Sequence, residues 1–184
     1  AISLDSGDTS FFALGPDEGD IHVAGVASMK RGNAGGAGGS FSLSAGRDLT
    51  ITATINASGY DAGGEIDGDA GRAIVLNGAL TAEALGTAGD GGFLSFEAGV
   101  ASDAGNAGTL SLQKNLDVSG GSANAARQSI ALAACGLSVA GSVKIDGTAG
   151  TVNGVNGGAF IDLISKRPMQ LGNSSQYLAT PGGR

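Results

Sequence analysis

The sequence predicts an all-β fold: a right-handed parallel β-helix (β-solenoid) of about six irregular coils, with glycine-rich loops on one side. Three observations predict it. Apolar and polar residues alternate strictly in many short segments, which is typical of strands with one buried face. Glycine is abundant (35 of 184 residues) while proline is scarce (3). Two kinds of alternating segment also recur along the chain in a fixed order, which is the sequence signature of a solenoid.

The first repeating segment places two large apolar residues two positions apart and ends in small residues. Its copies begin at Ser40, Glu65, Phe93, Thr109, Ser129 and Phe160. The copy that begins at Glu65 carries Gly68 in its second apolar position, and the copy at Phe160 is degraded. A Gly-Gly pair precedes several copies, as at Gly38-Gly39 and Gly63-Gly64.

The second repeating segment alternates for longer, and 49–57 is its clearest copy. Its copies begin at Ile21, Leu49, Ile74, Leu116, Leu137 and Met169. The joint from the first segment to the second is short, whereas the joint back to the next first segment varies and is rich in Gly, Ala, Asn and Asp. Variation at one joint favours a solenoid over an antiparallel sandwich, because a solenoid tolerates insertions on one face.

The whole chain, 1–184, is interpreted as a single solenoid domain. Two terminal stretches, 1–19 and 173–184, fit neither repeat. We expect these tails to cap the coil stack or to dock onto a neighbouring subunit. Their aromatic residues, Phe11, Phe12 and Tyr177, are therefore the candidate interaction residues.

Composition excludes several classes of partner and chemistry. The net charge of −7 disfavours nucleic acid, since phosphate binding needs clustered Lys and Arg. The chain has no run of 18 apolar residues, so no membrane span is predicted. Cys135 is the sole cysteine and cannot form an internal disulfide; it is interpreted as a small buried residue.

One acidic patch is a candidate cation site. Its members are Asp61, Glu65, Asp67 and Asp69, in a stretch that resembles the Gly-Gly-x-Gly-x-Asp calcium repeat. Calcium binds several oxygen ligands, so Ca²⁺ is the one cofactor that the sequence suggests. The motif does not recur in tandem, however, and solvated acids are the simpler interpretation.

A polysaccharide-acting enzyme on the same scaffold is the main catalytic alternative. Such an enzyme needs paired carboxylates on one strand face, and outward strand positions carry Asp67, Asp117, Asp146 and Asp162. Asp146 with Lys144, and Asp117 with Lys114, are the best acid–base pairs. Alternate strand positions face water in any case, and a chain with no Trp and only two Tyr offers little to stack on a sugar ring. His22 and Cys135 have no neighbours that suggest catalysis. We therefore expect no enzyme activity.

Two stretches, 46–59 and 91–99, resemble repeats of large secreted β-helical proteins of Gram-negative bacteria, namely filamentous-haemagglutinin-like exoproteins and autotransporter passenger domains. The resemblance extends over about 20–172 and lies at the level of the repeat. It implies a right-handed parallel β-helix, export to the bacterial cell surface, and a role in adhesion or in surface fibres. It carries no functional residue, because these repeats define architecture.

The sequence thus favours a secreted, non-catalytic structural or adhesive module. Its expected partners are copies of itself, stacked head to tail into a filament, or a glycan or protein of a cell surface. The alternatives are a polysaccharide lyase or hydrolase, and a trimeric glycan-binding spike of the kind that phages carry.

Overall fold

The computed structural model describes residues 9–10, 19–31, 35–99, 108–121, 128–152 and 155–179. All regular elements in these residues are β-strands, numbered β1 to β19 along the chain. The first sheet contains, in spatial order, β1 (Thr9–Ser10), β4 (Ser40–Ala45), β7 (Glu65–Ala70), β10 (Phe93–Ala98), β13 (Ser129–Ala134) and β17 (Phe160–Ser165).

The second and third sheets follow the same progression. The second contains β2 (Ile21–Val23), β5 (Asp48–Ile51), β8 (Ala73–Leu76), β11 (Thr109–Leu112), β14 (Gly136–Val139) and β18 (Gln170–Leu171). The third contains β3 (Val26–Ser28), β6 (Thr54–Asn56), β9 (Leu80–Thr81), β12 (Leu116–Asp117), β15 (Lys144–Val152) and β19 (Gln176–Ala179). The strand β16 (Val155–Gly158) folds back antiparallel on the second half of β15.

The chain visits the three sheets in turn, and neighbouring strands within each of these sheets run parallel. The result is a three-sided β-solenoid of about five turns. We call one strand from each of the three sheets, taken in chain order, a coil. The first coil is β1–β3 and the last is β17–β19, and β16 lies outside this series. The predicted parallel β-solenoid is confirmed, and the right-handed sense of its coil stays a prediction.

The core is a continuous column of aliphatic side chains from the inward positions of all three sheets. Leu49, Ile51, Ile74 and Leu76 are all completely buried, as the alternation predicts. Successive coils pair these residues directly, Leu49 with Ile74 and Ile51 with Leu76. Burial of each such side chain contributes roughly 1.5–3 kcal/mol, and stacking joins the coils into one cooperative unit.

Each long second segment is in fact two strands on two faces. The stretch 49–57 spans β5 and β6, and the chain turns between them at Thr52 and Ala53, whose amides both donate to the Val23 carbonyl of the coil below. Alternation continues through this corner, with Ala53 and Ile55 both completely buried. The pattern therefore gives no sign of where one sheet ends and the next begins.

The prediction that Thr109 begins a copy of the first segment is wrong. Thr109–Leu112 is β11 of the second sheet, where Leu110 pairs with Ile74 and with Leu137. Both kinds of segment bury alternate leucines, so the local pattern identifies a strand without identifying its sheet. An insertion thus separates β10 from β11, at a corner other than the one that carries the glycine-rich loops.

The prediction that 173–184 fits no coil is also wrong in part. Gln176–Ala179 is β19, which pairs parallel with β15 and completes the third side of the last coil. The strand is short and follows a turn, so it carries too few alternating positions to show in the sequence. In the amino-terminal tail, Thr9–Ser10 pairs with β4. A capping or docking role for either tail stays a prediction.

Candidate functional site

The last coil exposes apolar side chains at positions that are buried in the inner coils. Leu171 pairs with Val139, which is 3% exposed, yet Leu171 itself is 46% exposed. By the same register Met169 follows Leu137, and it is 42% exposed. Ile161 and Leu163 also pack on the core but are only partly buried. Among the described residues, the core column is therefore only partly covered at this end.

Within the described residues, the first coil likewise leaves its inward side chains only partly covered. Ile21, Val23 and Ala27 face the core and are only partly buried, whereas their partners Leu49, Ile51 and Ile55 in the next coil are completely buried. Among the described strands, β1, β2 and β3 form one edge of the three parallel sheets, and β17, β18 and β19 form the other. Strand edges present backbone groups that can pair with another strand.

Of the predicted interaction residues, only Tyr177 lies in the described part of the chain; Phe11 and Phe12 fall outside it. Tyr177 lies in β19 opposite Ile145 and packs, partly buried, on the end of the core. The Ser175 hydroxyl donates a hydrogen bond to its phenol oxygen, 3.1 Å away. Tyr177 thus covers part of the open end rather than projecting from it.

A ladder of ion pairs marks the corner between the first two sheets. Arg47 donates to Asp20 of the coil below, with 2.8 Å between Nη2 and Oδ2. One coil further on, Arg72 repeats the contact with Asp48, its Nε lying 2.7 Å from Oδ1. These hydrogen bonds lower the pKa of both carboxyl groups. The pairs are largely solvent-exposed, so they link neighbouring coils but add little to the stability of the fold.

Two of the predicted acids, Asp117 and Asp146, lie on the third sheet and each accepts a hydrogen bond from the backbone two residues further on. Asp117 accepts a hydrogen bond from the Ser119 amide (2.9 Å) and Asp146 accepts one from the Thr148 amide (3.0 Å). Asn56 does the same with the Ser58 amide (2.9 Å), two coils before Asp117. A side-chain oxygen that bonds the amide two residues on forms an Asx turn. At Asn56 and Asp117 it coincides with the end of β6 and of β12, whereas β15 continues beyond Asp146 to Val152.

Asp146 and Lys144 form the predicted acid–base pair. Lys144 Nζ lies 2.5 Å from Asp146 Oδ2, and Asp146 is only 7% exposed. Burial raises the pKa of this carboxyl group, but the hydrogen bonds from Lys144 and Thr148 outweigh it, so the pKa is lowered. Asp117 and Asp146 are direct partners on adjacent strands, which are about 4.8 Å apart. The structure therefore brings two of the proposed catalytic carboxylates together.

A third acid near these two, Glu83, was not predicted from the sequence. It lies two residues beyond Thr81, which pairs with Asp117. Burial raises the pKa of Glu83, and the charge of Asp117 raises it further. Glu83 can be recognised as a neighbour of Asp117 only when the register between the two coils is known, and the sequence does not give that register.

The predicted calcium ligands are engaged with neighbouring coils. Asp61 accepts a hydrogen bond from the Gly36 amide (2.6 Å), while Asp67 and Asp69 accept from the hydroxyl groups of Ser42 (2.6 Å) and Ser44 (2.8 Å). Glu65 begins the same strand and is exposed. In the described part of the chain, no group of three or more His, Cys, Asp and Glu side chains could hold a metal ion.

The remaining candidates lie apart from these sites. Asp162 is exposed on the edge strand β17, and Lys114 is exposed just before β12. His22 Nε2 lies 3.1 Å from the Thr52 hydroxyl, on the outer surface. Cys135 is buried, as predicted, and its carbonyl accepts from the Arg167 amide.

A shallow groove of about 310 Å³ runs along the corner between the third and first sheets. Its floor is made by the Gly-Gly pairs of three successive coils, and Glu65, Asp90 and Phe93 lie along its side. Glycine is required in this floor: a Cβ on Gly63 would stand 1.9 Å from the Ala82 carbonyl oxygen. The glycine pairs thus allow the loops to approach the stack closely.

A scan against models of protein families, a search of curated proteins and a search of solved structures each find no match for this chain. Across the residues that the structure describes, no helix has the length and apolarity needed to cross a lipid bilayer.

Proposed function

We propose that this chain is a non-catalytic structural module whose copies stack end to end into longer assemblies. The observation that carries the proposal is the incomplete burial of core-facing side chains in both terminal coils: Leu171 and Met169 are exposed at one end, and Ile21 and Val23 are only partly buried at the other. Apolar surface and strand edges in the same place are typical of an interface.

We further propose a bacterial cell surface, or the medium outside the cell, as its location. The resemblance of 46–59 and 91–99 to repeats of filamentous-haemagglutinin-like and autotransporter passenger proteins supports this. The solenoid fold is consistent with it. In this setting the partners are other copies of the chain, or a glycan or protein on a facing cell, which the glycine-floored groove and its acidic side would contact.

Sedimentation velocity over a concentration series tests the proposal. We expect species that grow with concentration, because a head-to-tail contact that does not close continues to propagate. Negative-stain microscopy should show rods of constant width. A monomer that persists at the highest concentration reached would reject end-to-end stacking.

A polysaccharide lyase or hydrolase is a second candidate, favoured by one observation. Asp146, with a lowered pKa, and Glu83, with a raised pKa, lie on one corner beside Asp117 and Lys144. Carboxylates whose pKa values are pushed apart are typical of acid–base chemistry. Turnover of an acidic polysaccharide that is lost in Asp146→Ala and kept in Asp162→Ala would establish this function; no turnover across a broad panel would leave Asp146 its structural role.

A further inference from the structure

We propose that the joint between two copies continues the register of the coils, so that the third-sheet residue Tyr177 of one copy lies opposite Ala27 of the next. This inference rests on the proposed end-to-end stacking and specifies its geometry. The partner is a second copy of this chain, and the two surfaces are the edge strands β17–β19 and the edge strands β1–β3.

The register follows from the columns that run through the solenoid. In the third sheet, Ala27, Ile55, Leu80, Leu116, Ile145 and Tyr177 form one continuous inward column. In the second sheet, Val23 and Leu171 are the two ends of the column that includes Ile51 and Val139. Stacking one copy on the next by the same rule places Val23 on Leu171 and Ala27 on Tyr177.

The sizes of the facing side chains match in this register. The largest inward residue of the last coil, Tyr177, meets the smallest of the first coil, Ala27. Leu171, which is 46% exposed, meets Val23, and Met169, which is 42% exposed, meets Ile21. Alternation of large and small residues across a contact fills space without overpacking. Each exposed apolar side chain of the last coil would then pack against an apolar side chain of the next copy, as the equivalent residues of the inner coils pack against their neighbouring coils.

The charges at the corner are compatible with the same joint. Arg167 occupies the corner column that also contains Arg47 and Arg72, as the chain of backbone hydrogen bonds through Cys135 and Gly108 shows. In the joint it lies one position from Asp20 of the next copy. In the inner coils each arginine contacts the aspartate of the preceding coil, Arg47 to Asp20 and Arg72 to Asp48, so in the joint Asp20 lies between Arg47 of its own copy and Arg167 of the other.

Disulfide trapping between two single variants tests the register. Val26 is 73% exposed and begins β3, and by the column rule it lies opposite Gln176 of the other copy. Residues opposed on adjacent strands are about 4.8 Å apart, within the Cα separation of a disulfide. We expect an equal mixture of Val26→Cys and Gln176→Cys to give a disulfide-linked dimer under mild oxidation.

The matched control replaces Gln176→Cys by Leu178→Cys, which moves the thiol two residues along β19 and beyond disulfide reach of Val26. We expect at least a several-fold lower yield of dimer from it, and the wild-type chain controls for Cys135. Equal yields from the two mixtures, or a Val26→Cys homodimer as the main product, would overturn the register. If the register is overturned but sedimentation of the wild-type chain still shows assembly, the proposal of end-to-end stacking is unaffected. If the wild-type chain is monomeric, both the stacking and the register are rejected.

Discussion

The ring of Phe96 covers the backbone of Gly68 inside the first sheet. The two residues are direct partners on β10 and β7, and a Cβ built on Gly68 would stand 2.8 Å from Phe96 Cε1. Leu49 Cδ2 approaches the same point to 2.8 Å. The missing side chain of one coil is thus replaced by a large side chain from the next, and Phe96 is 1% exposed as a result.

Gly68→Leu should therefore destabilise the protein, even though it restores the apolar pattern of the other coils. The added side chain has no space beside Phe96 and Leu49, and overpacking of this kind costs about 1–3 kcal/mol. Chemical denaturation of the variant and the wild type measures the loss. Equal stability would show that this region of the core is not closely packed.

Phe96→Ala alone should cost about 3–5 kcal/mol, because it leaves a cavity. The double variant Gly68→Leu/Phe96→Ala should be more stable than the sum of the two single changes predicts, since the leucine enters the space of the ring. A double-mutant cycle gives this coupling directly. Strict additivity would contradict the contact between the two positions.

The glycine-floored corner predicts opposite results for two glycine-to-alanine changes. Gly63→Ala places a methyl group 1.9 Å from the Ala82 carbonyl oxygen, so backbone must move and the protein should lose stability. Among the described residues, and apart from the chain neighbours of Gly136, a methyl group there would approach only Thr109 Cγ2, at 3.7 Å. Gly136→Ala should be neutral or stabilise by up to about 1 kcal/mol, because it restricts the unfolded chain. Thermal unfolding compares the two, and a larger loss at Gly136 would reject the close approach.

Glu83→Gln should stabilise the protein at neutral pH. Burial and the charge of Asp117 raise the pKa of Glu83 above its ordinary value of 4.5, so the ionised form opposes folding. As the pH falls through the raised pKa, wild-type Glu83 takes up a proton and the penalty disappears. The advantage of Glu83→Gln should therefore fade on acidification. Stability curves at several pH values check this, and an advantage that grows towards acid pH would contradict it.

Asp146→Ala should cost roughly 1–3 kcal/mol at neutral pH, since it leaves the Thr148 amide without its acceptor. The pKa of Asp146 is lowered from 3.8, so its contribution is lost as the pH falls below that value, and the difference from wild type should shrink there. Asp162→Ala is the matched control, because Asp162 is exposed on an edge strand and should change stability little. Equal losses at both positions would contradict a stabilising hydrogen bond between the Thr148 amide and Asp146.

Sequence alternation was sufficient to predict the strands and the buried face, as Leu49 and Ile74 show. It could not assign strands to sheets, because a leucine at an inward position looks the same in each sheet; this is why Thr109–Leu112 was misplaced. The corner formed by Glu83, Asp117 and Asp146 depends on register between coils separated by insertions of variable length. The lengths of these insertions can be counted in the sequence, but the strand pairing that results from them cannot be predicted from it.

Small-angle X-ray scattering of the purified chain over a concentration series tests the stacking of open coils most directly. The cross-sectional radius of gyration should stay constant while the overall radius of gyration increases with concentration, as coils add along one axis. A cross-section that grows with concentration, or an overall radius that stays at the monomer value throughout, would contradict end-to-end stacking.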